Sequence, residues 1–366
     1  MSPPNQERIA LARACRKLVG HGNRNPADEF ERVAAWCRAQ GLNHDEYGDG
    51  EFLQSFEARV AELLGFEAAR FMPSGTMGQQ IALRIWADRA ESDHVGFHPT
   101  SHLELHEQAG YAELHNLRST LIGPTERPIL AADLREVTDP LAALLIELPT
   151  RENGGQLPTW EELRELTGLA RSQNTRLHLD GARLWEAQVF YDRPFPEICG
   201  EFDSAYVSFY KGIGALPGSM LLGAKDFIEE AAIWQRRQGG NLASSLVAAA
   251  SAAMRLEPQL VRMSAYRERA MELAPLIAAV EGIELIPNPP QVNMFHLHFN
   301  ATPDAIASAR DQVARETGLW IVGGARAGEQ PDTSRTEVTI GESALELDIA
   351  ELATAFARMM GLARQS

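Results

Sequence analysis

The sequence predicts an α/β protein with a mostly parallel central sheet in a large domain, followed by a smaller α+β domain at the C-terminus. Two observations predict this class. The middle of the chain alternates short apolar runs with amphipathic stretches of helical length, and this pattern changes near residue 255. Strands separated by such helices need crossover connections, which give a parallel sheet covered on both faces. A chain of 366 residues is also long enough for two domains.

The elements of the large domain are predicted from short apolar runs. ARFMP (69–73) predicts a strand that leads directly into the helix SGTMGQQIALRIWADRA. LAALLIELP (141–149) predicts a buried strand, and the helix after it begins with a capping box formed by Thr159 and Glu162. The remaining predicted elements are the strands RLHLD (176–180), SAYVSF (204–209) and SMLLG (219–223) and the helix AKDFIEEAAIWQRRQ (224–238).

The small domain is predicted from the pattern after residue 255. A long helical stretch, 255–280, precedes the strand QVNMFHLHF, and a helix at 303–317 precedes the strands LWIVG and RTEVTIG. The closing helix is LDIAELATAFARMMGLA. We therefore expect an N-terminal segment, 1–50, that packs with the small domain, a large domain over 51–254 and a small α+β domain over 255–366.

The composition excludes several classes of function. A formal net charge of −16 would repel a phosphate backbone, so we expect no nucleic-acid partner. The three cysteines lie far apart and form no CxxC pair, which predicts reduced thiols and no metal site. The N-terminus lacks the apolar core of a signal peptide, and no uncharged apolar run approaches the roughly 20 residues that cross a bilayer. We expect a cytoplasmic protein without a membrane partner.

Polar clusters occur where ligands bind in open α/β sheets, at the carboxyl ends of strands. In PSGTMGQ, Gly75 lets the backbone approach a ligand, Thr76 offers a hydroxyl, and the helix start offers N–H groups and a positive dipole end. Asp180 follows a buried run and needs a partner, because a buried unpaired carboxylate is costly. Lys211 follows the strand 204–209, where desolvation can lower the pKa of its amine. Taken singly, each cluster also has a structural explanation. The Gly75 cluster fits a capped helix start, the Asp180 cluster fits a salt-bridged helix cap, and Lys211 fits a solvated loop lysine.

Together, the three clusters fit one ligand, pyridoxal 5′-phosphate. This cofactor needs an amine for its aldehyde, a carboxylate for its ring nitrogen and a helix N-terminus for its phosphate. In this interpretation the partner of Asp180 is a pyridinium. A protonated ring nitrogen makes the ring an electron sink for a carbanion on the substrate.

Three segments resemble one known family. HLDGARLW (178–185) resembles the H-[LV]-D-G-A-R signature of the L-threonine aldolase and β-eliminating lyase family of fold-type I pyridoxal enzymes. Residues 47–76 resemble the N-terminal block of that family, and YKGIGALPGSMLLG (210–223) resembles its lysine segment. The resemblance implies a fold-type I architecture, a pyridoxal-phosphate lyase acting on a small amino acid, and a homodimer or homotetramer.

The resemblance also implies roles for individual residues. Lys211 would form the internal aldimine, Asp180 would pair with the ring nitrogen, and Arg183 would lie near the phenolic oxygen or the substrate carboxylate. His102 takes the place of a histidine that stacks on the ring, and Glu107 also matches. Arg335 in TSRTEVTIG takes the place of the arginine that binds the substrate carboxylate. The residues that would hold the cofactor are Gly75, Thr76, Asp180, Arg183, Ser208 and Lys211.

The sequence departs from the family where substrate would be recognised. Tyr210 precedes the lysine where serine is common, GHGNRNP (20–26) replaces an R-S-D-T segment, and no histidine precedes LIELP. The leading hypothesis is cleavage of the Cα–Cβ bond of an L-β-hydroxy-α-amino acid, with His102, Glu107 or a water as the base. Three other hypotheses stay open: β-elimination, another reaction on the same cofactor, and a non-catalytic binding protein.

Overall fold

The computed structural model describes residues 3–365. The strands are β1 (Arg16–Lys17), β2 (Ala68–Met72), β3 (His94–Phe97), β4 (Arg118–Leu121), β5 (Ala143–Glu147), β6 (Arg176–Gly181), β7 (Ser204–Ser208), β8 (Ser219–Gly223), β9 (Ile283–Ile286), β10 (Met294–Phe299), β11 (Leu319–Trp320), β12 (Arg326–Ala327) and β13 (Ser334–Thr339). The α-helices are α1 (Pro3–Ala14), α2 (Pro26–Gln40), α3 (Glu51–Leu64), α4 (Gly75–Arg89), α5 (His102–Leu105), α6 (Gly110–His115), α7 (Ala131–Arg135), α8 (Trp160–Ser172), α9 (Leu184–Tyr191), α10 (Phe195–Cys199), α11 (Lys225–Arg237), α12 (Leu246–Leu260), α13 (Met263–Ala278), α14 (Pro303–Thr317) and α15 (Ile349–Ala363).

The chain divides into two compact units. One unit contains the described residues up to Glu29 and those from Arg262 onward, and the other contains 30–261. Residues 30–50, which we expected to pack with the small domain, thus lie in the larger unit. Hydrogen bonds explain their position, because the Asp45 carboxylate accepts from the backbone nitrogens of Ser245 at 2.9 Å and Leu246 at 3.1 Å.

A seven-stranded sheet forms the centre of the larger unit, in the order β2-β8-β7-β6-β5-β3-β4. The pairs from β4 to β7 are parallel, while β8 is antiparallel to both of its neighbours. This arrangement confirms the predicted mostly parallel central sheet. The capping box is also confirmed, since the Thr159 hydroxyl accepts from the Glu162 nitrogen and the Glu162 carboxylate accepts from the Thr159 nitrogen.

Helix α4 covers one face of this sheet. Trp86 of α4 donates from Nε1 to Ser204 Oγ at 2.8 Å, and His178 Nδ1 lies 2.8 Å from the same oxygen. Side chains two residues apart on a strand share a face. Asp180 and Tyr206, which follow His178 and Ser204 by two residues, therefore point to the face that α4 covers.

The smaller unit has its own sheets. Strands β12, β13, β10 and β9 form an antiparallel sheet in that order, and β1 pairs with β11 in parallel. The long helix expected over 255–280 is instead two helices, α12 and α13, that are separated at 261–262. No helix within residues 3–365 combines the length and the apolar character that crossing a membrane requires.

Strand β2 lies at the edge of the sheet. At Phe71, the backbone N–H and carbonyl that face away from the sheet form hydrogen bonds with side chains. The Phe71 nitrogen donates to Glu57 Oε1 at 2.8 Å, and its carbonyl accepts from Gln235 Nε2 at 2.8 Å. Glu57 is buried, and burial raises its pKa from 4.5 to about 7, although the Phe71 N–H and the positive charge of Arg70 oppose the rise.

We expect Glu57→Gln to stabilise the protein at pH 8 but not at pH 5. The folded protein keeps a proton on Glu57 between pH 4.5 and about 7 that the unfolded chain loses, so the free energy of unfolding falls as pH rises through this window. Glutamine keeps the acceptor for Phe71 without the charge, which should raise the free energy of unfolding at pH 8 by on the order of 2–3 kcal/mol. Urea unfolding at both pH values measures the difference, with Glu62→Gln, an exposed residue of the same helix, as control. An equal change at both pH values would contradict the prediction.

Candidate active site

The carboxyl ends of β5, β6 and β7 bring three ionisable side chains into one row. Glu147 is the Cα partner of Asp180, and Asp180 is the partner of Tyr206. Laterally paired residues of neighbouring strands point to the same face. The three side chains therefore lie side by side on the face that α4 covers.

Asp180 is buried and close to a positive charge. Its Oδ1 accepts from the Ala182 nitrogen at 3.0 Å. Burial raises the pKa of Asp180, and the positive charge of Lys211 opposes this rise. The carboxylate and the amine named from the sequence are thus close enough to influence each other.

Lys211 lies just beyond β7 among charged groups. Burial lowers the pKa of its amine, the positive charge of Arg183 lowers it further, and Asp180 and Glu147 oppose both effects. Arg183 is itself close to Glu186, with 3.7 Å between Nε and Oε2. A lysine with a lowered pKa loses its proton more readily and becomes a better nucleophile.

Glu147 lies beside Asp180 in the candidate site, although it was not singled out from the sequence. Burial and the negative charge of Asp180 raise its pKa to about 8, although a hydrogen bond from the Arg151 nitrogen to Oε1 opposes the rise. Burial thus favours the protonated form of both carboxyl groups, and their closeness means that the two hold a shared proton more readily than two negative charges. The available signal was the same as for Asp180: a carboxylate at the end of an apolar run.

The N-terminus of α4 meets the row at Tyr206. The Ser74 hydroxyl caps the helix by accepting from the Met77 nitrogen at 3.3 Å. A Cβ on Gly75 would lie 2.1 Å from Tyr206 Oη and 2.2 Å from Cζ, so the phenol packs directly against the first residue of the helix. Thr76 follows and is half-buried. The structure thus brings Gly75 and Thr76 to the same end of the sheet as Asp180.

We expect Gly75→Ala to destabilise the protein and Gly78→Ala to be neutral or stabilising. The Cβ of residue 75 would displace Tyr206, at a cost of about 1–3 kcal/mol. At Gly78 the nearest atoms are 3.7 Å and 4.0 Å away, so alanine adds up to about 1 kcal/mol of helix propensity without a clash. Urea unfolding of both variants measures the difference, and equal effects would contradict the close contact between Gly75 and Tyr206.

Ser208, a predicted cofactor contact, lies at the end of β7 and is buried. Its hydroxyl donates to the Ala182 carbonyl at 2.9 Å, and its own carbonyl accepts from Trp185 Nε1 at 2.8 Å. The hydroxyl proton of Ser208 is therefore engaged with the loop that follows Asp180. Ser208 joins the Lys211 segment to that loop.

His102 and Glu107 form a hydrogen-bonded pair. His102 Nδ1 lies 2.9 Å from Glu107 Oε1, and Gln80 Nε2 donates to Glu107 Oε2 at 2.9 Å. The His102 side chain is 34% exposed, while that of Glu107 is fully enclosed. Both influence the pKa of Asp180, which places the pair near the row. Because Glu107 accepts from Nδ1, Nε2 is the ring nitrogen available to a ligand.

A second histidine–carboxylate pair lies beside the first. His106 Nε2 lies 2.9 Å from Glu152 Oε1, which also accepts from Arg151 Nη1 at 3.1 Å. The rings of His102 and His106 have centroids 5.1 Å apart. The segment after β5 contains no histidine of its own, but its Glu152 contacts His106, which directly follows α5. This pairing between distant segments has no signal in the sequence.

Arg335 lies in the smaller unit. It is half-buried on β13, where its Cα partners are His298 of β10 and Arg326 of β12. Its assignment to a substrate carboxylate therefore stays a prediction. Among the side chains that the structure describes, no group of three or more histidines, cysteines, aspartates or glutamates is arranged to hold a metal ion.

The chain is similar to known lyases and aldolases. The low specificity L-threonine aldolase of Escherichia coli K12 is 31% identical over 242 residues, which cover 64% of this chain and 72% of that protein. An uncharacterized Caenorhabditis elegans protein is 32% identical over 262 residues, which cover 69% of this chain and 62% of that protein, less than two thirds of its length. A solved structure from Listeria monocytogenes EGD-E, described as a candidate L-allo-threonine aldolase, is 39% identical with a TM-score of 0.91, covering 97% of this chain and 99% of that chain.

The fold is that of the fold-type I pyridoxal-phosphate enzymes, as the resemblance in the sequence implied. A structure of SPT with PLP, 16% identical, shares this fold with a TM-score of 0.66 and covers 96% of this chain and 87% of that chain. The family model described as beta-eliminating lyase matches residues 33–302. Because this match spans most of the sequence, the chain belongs to the beta-eliminating lyase family.

Proposed function

We propose that the protein is a pyridoxal-phosphate-dependent lyase that cleaves the Cα–Cβ bond of an L-β-hydroxy-α-amino acid to give glycine and an aldehyde. One observation carries the proposal: the Lys211 amine, the Asp180 carboxylate and the N-terminus of α4 meet at one end of one sheet. The names of the Escherichia coli and Listeria relatives support a threonine-like substrate.

The residues present fit the cofactor. The α4 N-terminus at Gly75 and Thr76 would hold its phosphate, Asp180 would hold its ring nitrogen, and Lys211 would hold its aldehyde carbon. When bound, pyridoxal phosphate supplies an electron sink for the pair of electrons that the breaking bond releases. Asp180 would keep the ring nitrogen protonated, and the positive charge of Lys211 beside it favours the ionised form of its carboxyl group.

The chain's own residues would manage the substrate proton. His102, oriented by Glu107 through Nδ1, would accept the β-hydroxyl proton at Nε2. Glu107 is less suited to contact substrate because it is enclosed and both of its oxygens have partners, His102 and Gln80. Arg183 or Arg335 would bind the substrate carboxylate, since a guanidinium matches its two oxygens.

In the decisive experiment, the purified protein is first loaded with pyridoxal phosphate. It is then given L-threonine, L-allo-threonine or L-phenylserine as substrate. We expect an aldehyde and glycine in equal amounts. The second candidate function is β-elimination, which the description of the matched family model favours. Pyruvate and ammonia from serine or cysteine, with no aldehyde from any hydroxy amino acid, would replace the aldolase proposal by this second one.

The proposal extends to assembly and location. We propose a cytoplasmic homodimer or homotetramer, as the family resemblance implies, with a small-molecule amino acid as substrate. Light scattering of the purified protein measures its mass directly. A mass of one chain, 40.3 kDa, would contradict the proposed assembly.

A further inference from the structure

We propose that the Tyr206 hydroxyl is a further ligand of the cofactor phosphate, in addition to the N-terminus of α4. This inference rests on the proposed function, because it assumes that pyridoxal phosphate binds at the end of β6 and β7. No segment that resembles the family motifs assigns a role to Tyr206.

The position of the phenol supports this role. A Cβ atom on residue 75 would lie only 2.1 Å from Tyr206 Oη, so the hydroxyl fills the space beside the Gly75 Cα atom. The first N–H groups of an α-helix have no intrahelical acceptor and bind anions. A hydroxyl at this point therefore adds a side-chain donor to a set of backbone donors.

The surroundings keep the hydroxyl protonated. Tyr206 is 2% exposed. Burial raises the pKa of Tyr206 well above its ordinary value of 10.0, and the negative charge of Asp180 and contact with Tyr210 raise it further. A protonated phenol donates a charge-assisted hydrogen bond to a phosphate, which is stronger than a bond to a neutral acceptor.

The neighbouring hydroxyls are less suited to donate. Ser208, two residues along the same face, gives its proton to the Ala182 carbonyl and is also within hydrogen-bonding reach of the Tyr206 hydroxyl. Tyr210 is 42% exposed and accepts a hydrogen bond from Tyr206. A phosphate dianion is a stronger acceptor than this neutral phenol and would take its place. The donation from Tyr206 to phosphate is therefore an exchange of a neutral acceptor for a charged one.

The test compares two ligands that differ by the phosphate alone. Pyridoxal 5′-phosphate and pyridoxal are each titrated into cofactor-free wild type and into the variants Tyr206→Phe, Tyr210→Phe and Tyr191→Phe. Binding is measured by equilibrium dialysis. Tyr206→Phe should weaken pyridoxal phosphate by about 10–100-fold and leave pyridoxal unchanged. Tyr191→Phe removes another buried hydroxyl, which donates to the Pro158 carbonyl at 3.1 Å, and should change neither.

Three results would overturn the inference: no change, an equal loss for both ligands, or the same selective loss in Tyr210→Phe. Absence of pyridoxal phosphate binding to wild type would instead overturn the proposed function itself. Should Tyr206→Phe fail to fold, fluorotyrosine at position 206 keeps the hydroxyl and reports on it. Its fluorine resonance should shift with pyridoxal phosphate and not with pyridoxal, and equal shifts would overturn the inference.

Discussion

Replacing Lys211 with alanine is expected to reduce turnover of β-hydroxy amino acids by at least about 10³-fold. Its amine is the group that would hold the cofactor aldehyde. Burial and the positive charge of Arg183 lower its pKa, so the amine loses its proton more readily and is a better nucleophile. The aldehyde assay measures turnover, and the visible absorbance of the purified protein measures the attached cofactor. Both should be lost together in the variant.

Borohydride reduction of the wild type tests the same amine without mutation. Reduction attaches the cofactor permanently to the lysine that holds it, and the peptide that carries this label is then identified. The sequence contains three lysines, Lys17, Lys211 and Lys225, so the labelled peptide identifies the reacting amine directly. Lys225 begins α11 and is exposed, which makes Lys225→Ala the matched control that should keep both label and turnover. Label on Lys17 or Lys225 would contradict the role of Lys211.

Asp180→Asn should reduce turnover by about 10²–10³-fold while the protein stays folded. Asparagine keeps the oxygen that accepts from the Ala182 nitrogen, but it cannot hold a proton on the ring nitrogen. Asp203→Asn is the matched control, because Asp203 lies at the opposite end of the same strands and accepts from the Leu177 nitrogen at 2.8 Å. The aldehyde assay and thermal unfolding of both variants separate the effects. Equal losses of turnover in the two variants would contradict the role of Asp180.

The sequence predicted the parts of the site that carry a local signal. A carboxylate at the end of an apolar run, a lysine before glycines and a glycine at a helix start are visible in a few residues, and the structure brings Asp180, Lys211 and Gly75 to one end of the sheet. Tyr206 has no such signal, because a tyrosine in an apolar run is typical of an ordinary buried strand. Its position depends on the register of β6 and β7, which a single sequence does not encode locally.

The same distinction holds for the fold. The strands β5 to β8 were predicted because each contains a short apolar run or, in β6, leucines that alternate with polar residues. Strands β3 and β4 were missed, since β3 has four residues and β4 is a polar edge strand with exposed ends. The position of residues 30–50 was also missed, because it depends on hydrogen bonds between Asp45 and the distant start of α12.

The bonding of Phe71 bears on how copies of this chain can associate. An edge strand with unpaired amides and carbonyls invites another polypeptide to add to the sheet, which leads to domain swapping or fibrils. At the centre of β2, both outward groups are already bonded within the molecule, to Glu57 and Gln235. An incoming chain would have to break two buried hydrogen bonds before forming any of its own. At Phe71, this edge of the sheet therefore resists the addition of another strand.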